Sequence, residues 1–387
     1  MSERGSRLLH ALDYYLGVPL LRGCALFIQT GRMRRKLPNA ERLKSIALLS
    51  LGAIGDLLLM SALTRALKQR LPESRVTLIT TKANACAAPL VPGIDLIRSF
   101  GLTELPFLLS FLRQQSFDLL IDSSQWARLG ALVSLFAKAW VTIGFETRGE
   151  FRSSGYTYTV LHRSDQHECE NFLDLGRIFF PDLNGAARIK TVSELGYTQD
   201  DCVQFCAKVL HGAQKPFFLH MWPSGVHAEL KEWPAAYWAE LGTILTERGG
   251  TLFFTGAKKD QEKTEAFLKA HPKLHALSLA GLVSLQELVL LFGQARAVIS
   301  VNTGIMHLSA LSNALTIALH GPTNPLRWGP VGERVVNLQP RSGNFGYLDL
   351  GFEYKPPYRP CLPHLLVSDV VRALEEQGAF RDSVQAM

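Results

Sequence analysis

The sequence predicts an α/β protein built from two doubly wound halves. Three observations predict it. Apolar runs of strand length alternate with stretches of helical periodicity, as in parallel sheets covered on both faces. The alternation occurs twice, once after residue 44 and again after residue 215. Strand-to-helix turns in both halves carry glycine and small polar residues, which suits a ligand approaching the carboxyl ends of the strands.

In the first half, KSIALLSL (44–51) is expected as a buried strand and DLLLMSALTRALKQRL (56–71) as one helix. RVTLIT (75–80) and FDLLIDS (117–123) are further strands, ALVSLFAKAW (131–140) a helix, and 162–190 a helix followed by a looser connection. In the second half the expected strands are 216–221, 251–256, 297–301 and 315–321. The expected helices are 234–249, 259–270, 284–295, 304–314 and 367–377. The domain division that follows is an N-terminal arm at 1–44, a first domain at 45–200, a second at 215–365 and a C-terminal helix and tail at 366–387. Two such domains are expected to face a central cleft.

At 387 residues, 47% hydrophobic and 19% charged, the chain is no disordered segment, collagen, coiled coil or cysteine-stapled miniprotein. Cys24, Cys86, Cys169, Cys202, Cys206 and Cys361 have no zinc spacing and fit a reducing compartment. Cys202 and Cys206 share a helix face and are expected to pack inward. No His/Asp/Glu set and no DxD pair suggests a metal, so none is expected.

The net charge of +7 is concentrated at one end: residues 1–44 hold nine Lys and Arg against three Asp and Glu. The near-neutral remainder argues against a nucleic-acid groove. Asp13, Pro19 and Arg22 interrupt the arm's apolar stretch, so it lacks the length to span a bilayer, and no signal-peptide cleavage site follows it. Its aromatic and leucine residues beside Arg32, Arg34, Arg35 and Lys36 suit an anionic membrane face. A helical arm packed on the first domain is an equal and compatible reading.

Five strand-end segments are chemically interesting. SLGAIGD (50–56) has Gly52 and Gly55 for a tight turn and Asp56 at a helix start; Asp56 either caps the helix or acts as a base toward the cleft. The turn matches neither a dinucleotide fingerprint nor a P-loop. VNTGIMH (301–307) offers Asn302, Thr303 and Gly304 at a helix N-terminus, with His307 one turn on. That is a phosphate seat, or else a simple cap with a packed histidine. WPSGVHAELKEWP (222–234) presents Lys231 as a counter-charge for a diphosphate, or as a solvated loop lysine. In TGAKKDQE (255–262), Asp260 holds a ribose hydroxyl or caps its turn. In HGPTNPLRWGP, which ends at Pro330, Thr323, Asn324 and Arg327 either edge a donor pocket or, by default, pack the loop. His162 and His167 either border an acceptor cleft or, as the favoured reading, lie at the surface, and Arg128, Arg148 and Arg152 are anion contacts or surface charges.

Together the segments LLSLGAIGDLLLMSALTRALKQRLP, LKEWP, LAGLVSLQELVLLFGQARAVISVNTGIMHLSAL and HGPTNPLRWGP, between about residues 44 and 332, resemble the lipopolysaccharide heptosyltransferases of glycosyltransferase family 9. The resemblance implies the GT-B architecture of two Rossmann-like domains. It implies transfer of heptose from ADP-heptose to a lipopolysaccharide core acceptor, with inversion and without an essential metal, in the cytoplasm at the inner membrane. By resemblance Asp56 is the catalytic base, Lys231 the phosphate-binding lysine, and Thr303, Gly304 and His307 the pyrophosphate turn. Asp260 falls at a nucleoside contact. Asn302 departs from the aspartate of many members, which leaves open another nucleotide sugar. An epimerase of the same architecture and a silent membrane-bound scaffold are the rival readings.

Overall fold

The computed structural model describes residues 7–28, 36–354, 356 and 358–381. The chain forms two compact units, Met1–Ile189 and Lys190–Met387. The first carries strands β1 (Ser45–Ser50), β2 (Arg75–Thr81), β3 (Leu96–Phe100), β4 (Phe117–Asp122), β5 (Ala139–Glu146) and β6 (Tyr158–Leu161). They form one parallel sheet in the order β3-β2-β1-β4-β5-β6. The second carries β7 (Lys215–His220), β8 (Gly250–Phe254), β9 (Ala276–Ser278), β10 (Ala297–Val301), β11 (Thr316–Leu319) and β12 (Val335–Leu338). These also form a parallel sheet, in the order β12-β11-β10-β7-β8-β9.

The central strands are the apolar runs of the sequence. Ile46, Ala47, Leu48 and Leu49 of β1 and Val298 and Ile299 of β10 are fully buried, because helices cover both faces of each sheet. Each sheet reverses its order once, between β1 and β4 and between β7 and β10. Such a switch point opens a crevice beyond the strand ends where ligands bind.

The structure corrects two expected helices. Residues 56–71 form two pieces, Ile54–Leu59 and Ser61–Arg70, meeting at Met60. The Ser61 hydroxyl donates to the Leu58 carbonyl and accepts from the Arg188 N–H, a back-bond that interrupts a helix ladder. The expected helix at 131–140 is Arg128–Phe136, and β5 already begins at Ala139. Thr142 and Gly144 break the apolar run of β5. Gly144 is required because a Cβ there would lie 2.2 Å from the Tyr156 ring. Strands β3, β6, β9 and β12 lie at sheet edges, half-buried and short, and give no continuous apolar signal.

The arm forms helices Arg7–Tyr15 and Gly17–Ile28 and packs within the first unit. Leu21 and Ala25 join Ala131, Leu135 and Tyr156 in one apolar cluster. Asp13 accepts from the Arg128 and Leu129 N–H groups at 3.1 Å, and its Oδ2 also pairs with the Arg128 guanidinium. Leu12, Tyr15, Leu16, Leu20 and Leu26 remain exposed. No helix among the described residues is long and apolar enough to cross a membrane. Arg32, Arg34 and Arg35 lie outside the described residues.

Candidate functional site

In the first unit, the turn after β1 leads into Ile54–Leu59, where Asp56 occupies the third helical position. Its Oδ2 accepts from the Ala53 N–H, a cap contact that fixes the carboxylate at the strand end. Its Oδ1 accepts from Gln125 Nε2 at 3.3 Å. A Cβ on Gly52 would lie 2.6 Å from Asp56 Oδ2, so only glycine leaves the carboxylate its place. Gly55 is buried in the same turn. Asp56 is 8% exposed.

Gln125 belongs to the loop after β4, across the switch point. Sequence reasoning missed it, because nothing in SSQWARLG is periodic or motif-like. Asp122, which ends β4, is fully buried and accepts from Arg152 Nη2 at 2.7 Å and the Tyr156 hydroxyl at 2.6 Å. Burial pushes the Tyr156 phenol well above the ordinary tyrosine range, so it stays a donor. Arg152 also donates to the Ser124 and Ala127 carbonyls, and Thr147 donates to the Gln125 carbonyl. A Cβ on Gly130 would meet Asp122 Oδ2 at 2.3 Å.

This corrects the reading of Arg128 and Arg152. Neither is a surface charge or an open anion contact: both guanidiniums are buried, Arg128 between Glu150 and Asp13 and Arg152 on Asp122. Arg148 is exposed. His162 is likewise buried, not at the surface. Its Nε2 lies 2.9 Å from Glu168 Oε1 and its Nδ1 3.2 Å from Thr147 Oγ1. His167, half-buried, caps the helix Glu168–Arg177 by accepting from the Cys169 N–H.

In the second unit, all the predicted residues follow strand ends. Lys231 closes a short turn after β7 and donates to the Ser224 carbonyl at 2.8 Å. Gly225, at φ 94°, brings the backbone toward it. After β10, Thr303 is the N-cap of the helix Gly304–Leu311 and accepts from the Ile305 N–H at 3.2 Å. Asn302, Thr303 and Gly304 are half-buried, and His307 is buried one turn on. The Asn302 amide nitrogen lies 3.1 Å from His320 Nδ1, whose Nε2 lies 2.8 Å from Asn337 Oδ1. Burial pushes His320 down to about 4, so the ring is neutral.

Asp260, after β8, is buried with both oxygens engaged: Oδ2 caps the Ala257 N–H at 3.0 Å and Oδ1 pairs with Lys263 at 2.9 Å. Thr323 is a buried loop residue and Asn324 caps the short helix Pro325–Trp328, whereas Arg327, expected in a loop, is buried within that helix. Cys206 is buried and Cys202 half-buried. Among the described residues, no group of three or more His, Cys, Asp and Glu side chains is placed to hold a metal ion.

The model of the family described as glycosyltransferase family 9 (heptosyltransferase) matches residues 108–345. The lipopolysaccharide core heptosyltransferase OpsX of Haemophilus influenzae is 26% identical over 351 residues, 88% of this chain and 99% of that protein. The lipooligosaccharide heptosyltransferase 2 of Haemophilus ducreyi is 31% identical over 159 residues; the match covers 40% of this chain and 45% of that protein. A solved structure of the Escherichia coli ADP-heptose lipopolysaccharide heptosyltransferase II superposes with a TM-score of 0.69 at 20% identity, covering 86% of this chain and 98% of that one.

Proposed function

The chain belongs to glycosyltransferase family 9, and we propose that it transfers heptose from ADP-heptose to a lipopolysaccharide core acceptor with inversion at the sugar carbon. The observation that carries the reading is the second-unit strand-end set. Lys231 follows β7 and the Thr303–Gly304 helix start follows β10, the two strands that flank the switch point. A cation and a helix N-terminus there suit a nucleoside diphosphate. The names of the relatives add the sugar and the acceptor class.

In the proposed reaction the acceptor hydroxyl oxygen forms the new bond to the anomeric carbon. The bond from that carbon to the diphosphate breaks, and ADP leaves with the electron pair. Asp56 takes the hydroxyl proton as general base. Lys231 and the amides at Thr303–Gly304 hold the charge that grows on the diphosphate. His307 backs this turn, Asn302 offers its side-chain oxygen to the donor sugar, and Asp260 shapes the nucleoside end. The chemistry assigned to these residues needs no metal.

Calorimetric titration with ADP, UDP, GDP and ADP-heptose tests the donor. Selective binding of ADP and ADP-heptose supports it. Preference for UDP or GDP replaces the sugar while keeping the reaction type. No binding of any of them favours a silent scaffold.

The same reading puts the protein at the cytoplasmic face of the inner membrane through its arm. Leu12, Tyr15, Leu16, Leu20 and Leu26 are exposed there, and the sequence places Arg32, Arg34, Arg35 and Lys36 just beyond. Apolar residues beside basic ones suit an anionic bilayer surface. Flotation with vesicles containing anionic phospholipid should carry the protein up, and Leu16→Ser with Leu20→Ser should abolish this. Equal flotation of that variant would remove the arm from the reading.

A further inference from the structure

We propose that Gln125 is a positioning residue for the reaction, holding the Asp56 carboxylate in the plane and direction from which it takes the acceptor proton. The inference rests on Asp56 as the base.

A base contributes only when its lone pair faces the proton it removes. One contact does not fix that direction. A carboxylate held at one oxygen alone pivots about its Cβ–Cγ bond, and the Ala53 N–H holds Oδ2. Gln125 Nε2 on Oδ1 at 3.3 Å is the second point that stops the pivot. An ionised carboxylate only accepts, so the end of the amide that faces it is the NH₂ group. Each oxygen of Asp56 is then engaged by a fixed donor.

Gln125 is itself held. The side chain is buried, and its backbone is pinned at three consecutive points. The Ser123 N–H donates to the Leu49 carbonyl at 2.9 Å, Arg152 donates to the Ser124 carbonyl, and Thr147 donates to the Gln125 carbonyl. A fourth bond, from Arg152 Nε to the Ala127 carbonyl at 3.0 Å, closes the far side of the loop. The donors come from side chains that are themselves anchored: Arg152 on Asp122 and Tyr156, and Thr147 against His162, which leans on Glu168. Gln125 carries this anchored main chain's support to Asp56. A supporting shell of this kind keeps a reacting group within the tolerance its chemistry needs.

The test compares the parent protein with Gln125→Leu, Gln125→Glu and Asp56→Asn. The readout is ADP release from ADP-heptose in the presence of heptose-deficient lipopolysaccharide, from pH 6 to 8.5. Gln125→Leu should lower kcat about 10–100-fold, the range of a misplaced reacting group, with the donor KM and ADP affinity unchanged. Gln125→Glu has the same shape. It should be weakest at high pH, where two carboxylates face each other, and should regain turnover as the pH falls and the introduced carboxyl again donates. A packing role would give Gln125→Leu and Gln125→Glu parallel pH profiles. Parallel profiles, or a Gln125→Leu kcat near the parent value, overturn the proposal. Turnover by Asp56→Asn overturns the reading beneath it instead. An inactive Asp56→Asn beside a fully active Gln125→Leu leaves the base in place and removes only the positioning role.

Discussion

His320 and Asn302 are joined by a half-buried hydrogen bond of 3.1 Å, and it runs from the amide to the ring. The neutral ring donates through Nε2 to Asn337, so Nδ1 is the acceptor. One hydrogen of the Asn302 NH₂ is thereby engaged. Asn302→Leu strands a buried ring nitrogen. It should cost about 1–3 kcal/mol of unfolding free energy and weaken ADP-heptose binding more than ADP binding. Urea unfolding and calorimetry check the two halves; an unchanged midpoint would show that the bond carries no stability.

Stability should fall on acidification. Burial pushes both His220 and His320 down from 6.5 to about 4 in the folded chain. Between those values the unfolded chain binds protons that the folded one refuses, so stability is lost as the pH drops from about 6.5 to about 4. The loss is on the order of 3 kcal/mol for each histidine. Urea midpoints at pH 7 and pH 4.5 measure it. His320→Asn should remove part of the slope, and a slope unchanged by that variant would assign it elsewhere.

Lys231→Ala should weaken ADP binding by roughly tenfold or more, the worth of a charge-assisted contact. The fold should be unaffected, because the ammonium bonds a loop carbonyl on a partly exposed turn. Unchanged ADP affinity would take the lysine out of the donor seat.

Gly52→Ala should behave like a mild version of Asp56→Asn. The added methyl carbon would stand 2.6 Å from Asp56 Oδ2, so the carboxylate must leave its cap. Transfer should drop about 100-fold, the effect of a displaced reacting group, while ADP titration stays as in the parent. Full activity would show that the turn has room to relax.

Arg152→Met should fail as a protein before it fails as an enzyme. Removing one partner of a buried ion pair costs about 3–5 kcal/mol, and Asp122 would keep only neutral donors, the Tyr156 hydroxyl and the Ser124 N–H, against its charge. Thermal unfolding and soluble yield report it. A stable variant with weakened acceptor use would return Arg152 to the substrate.

The interior of the fold was legible because buried parallel strands write themselves as apolar runs: β1, β7, β10 and β11 stand, within two residues at either end, where KSIALLSL, PFFLHM, AVISV and LTIALHG predict them. Edge strands bury one side and lose that signal, as YTVL and VVNL show. The candidate site divides in the same way. Asp56, Lys231 and Thr303 sit in turns whose glycines and caps are local in sequence. Gln125 and His320 act through partners 69 and 18 residues away, and no local pattern encodes such a distance. Arg152 and His162 were misjudged because charge alone suggests water, and their counter-charges lie elsewhere in the chain.

The Asp13 contact gives the arm a thermodynamic role. Ala127, the residue before the helix Arg128–Phe136, provides no side-chain cap; Asp13 supplies one from another part of the chain. That helix begins directly after the loop that bears Gln125. Docking of the arm and order in the loop therefore share one free energy, and linkage of this kind is reciprocal. Whatever seats the arm firms the loop, and a chain cut before Gly17 would lose a helix cap as well as an anchor.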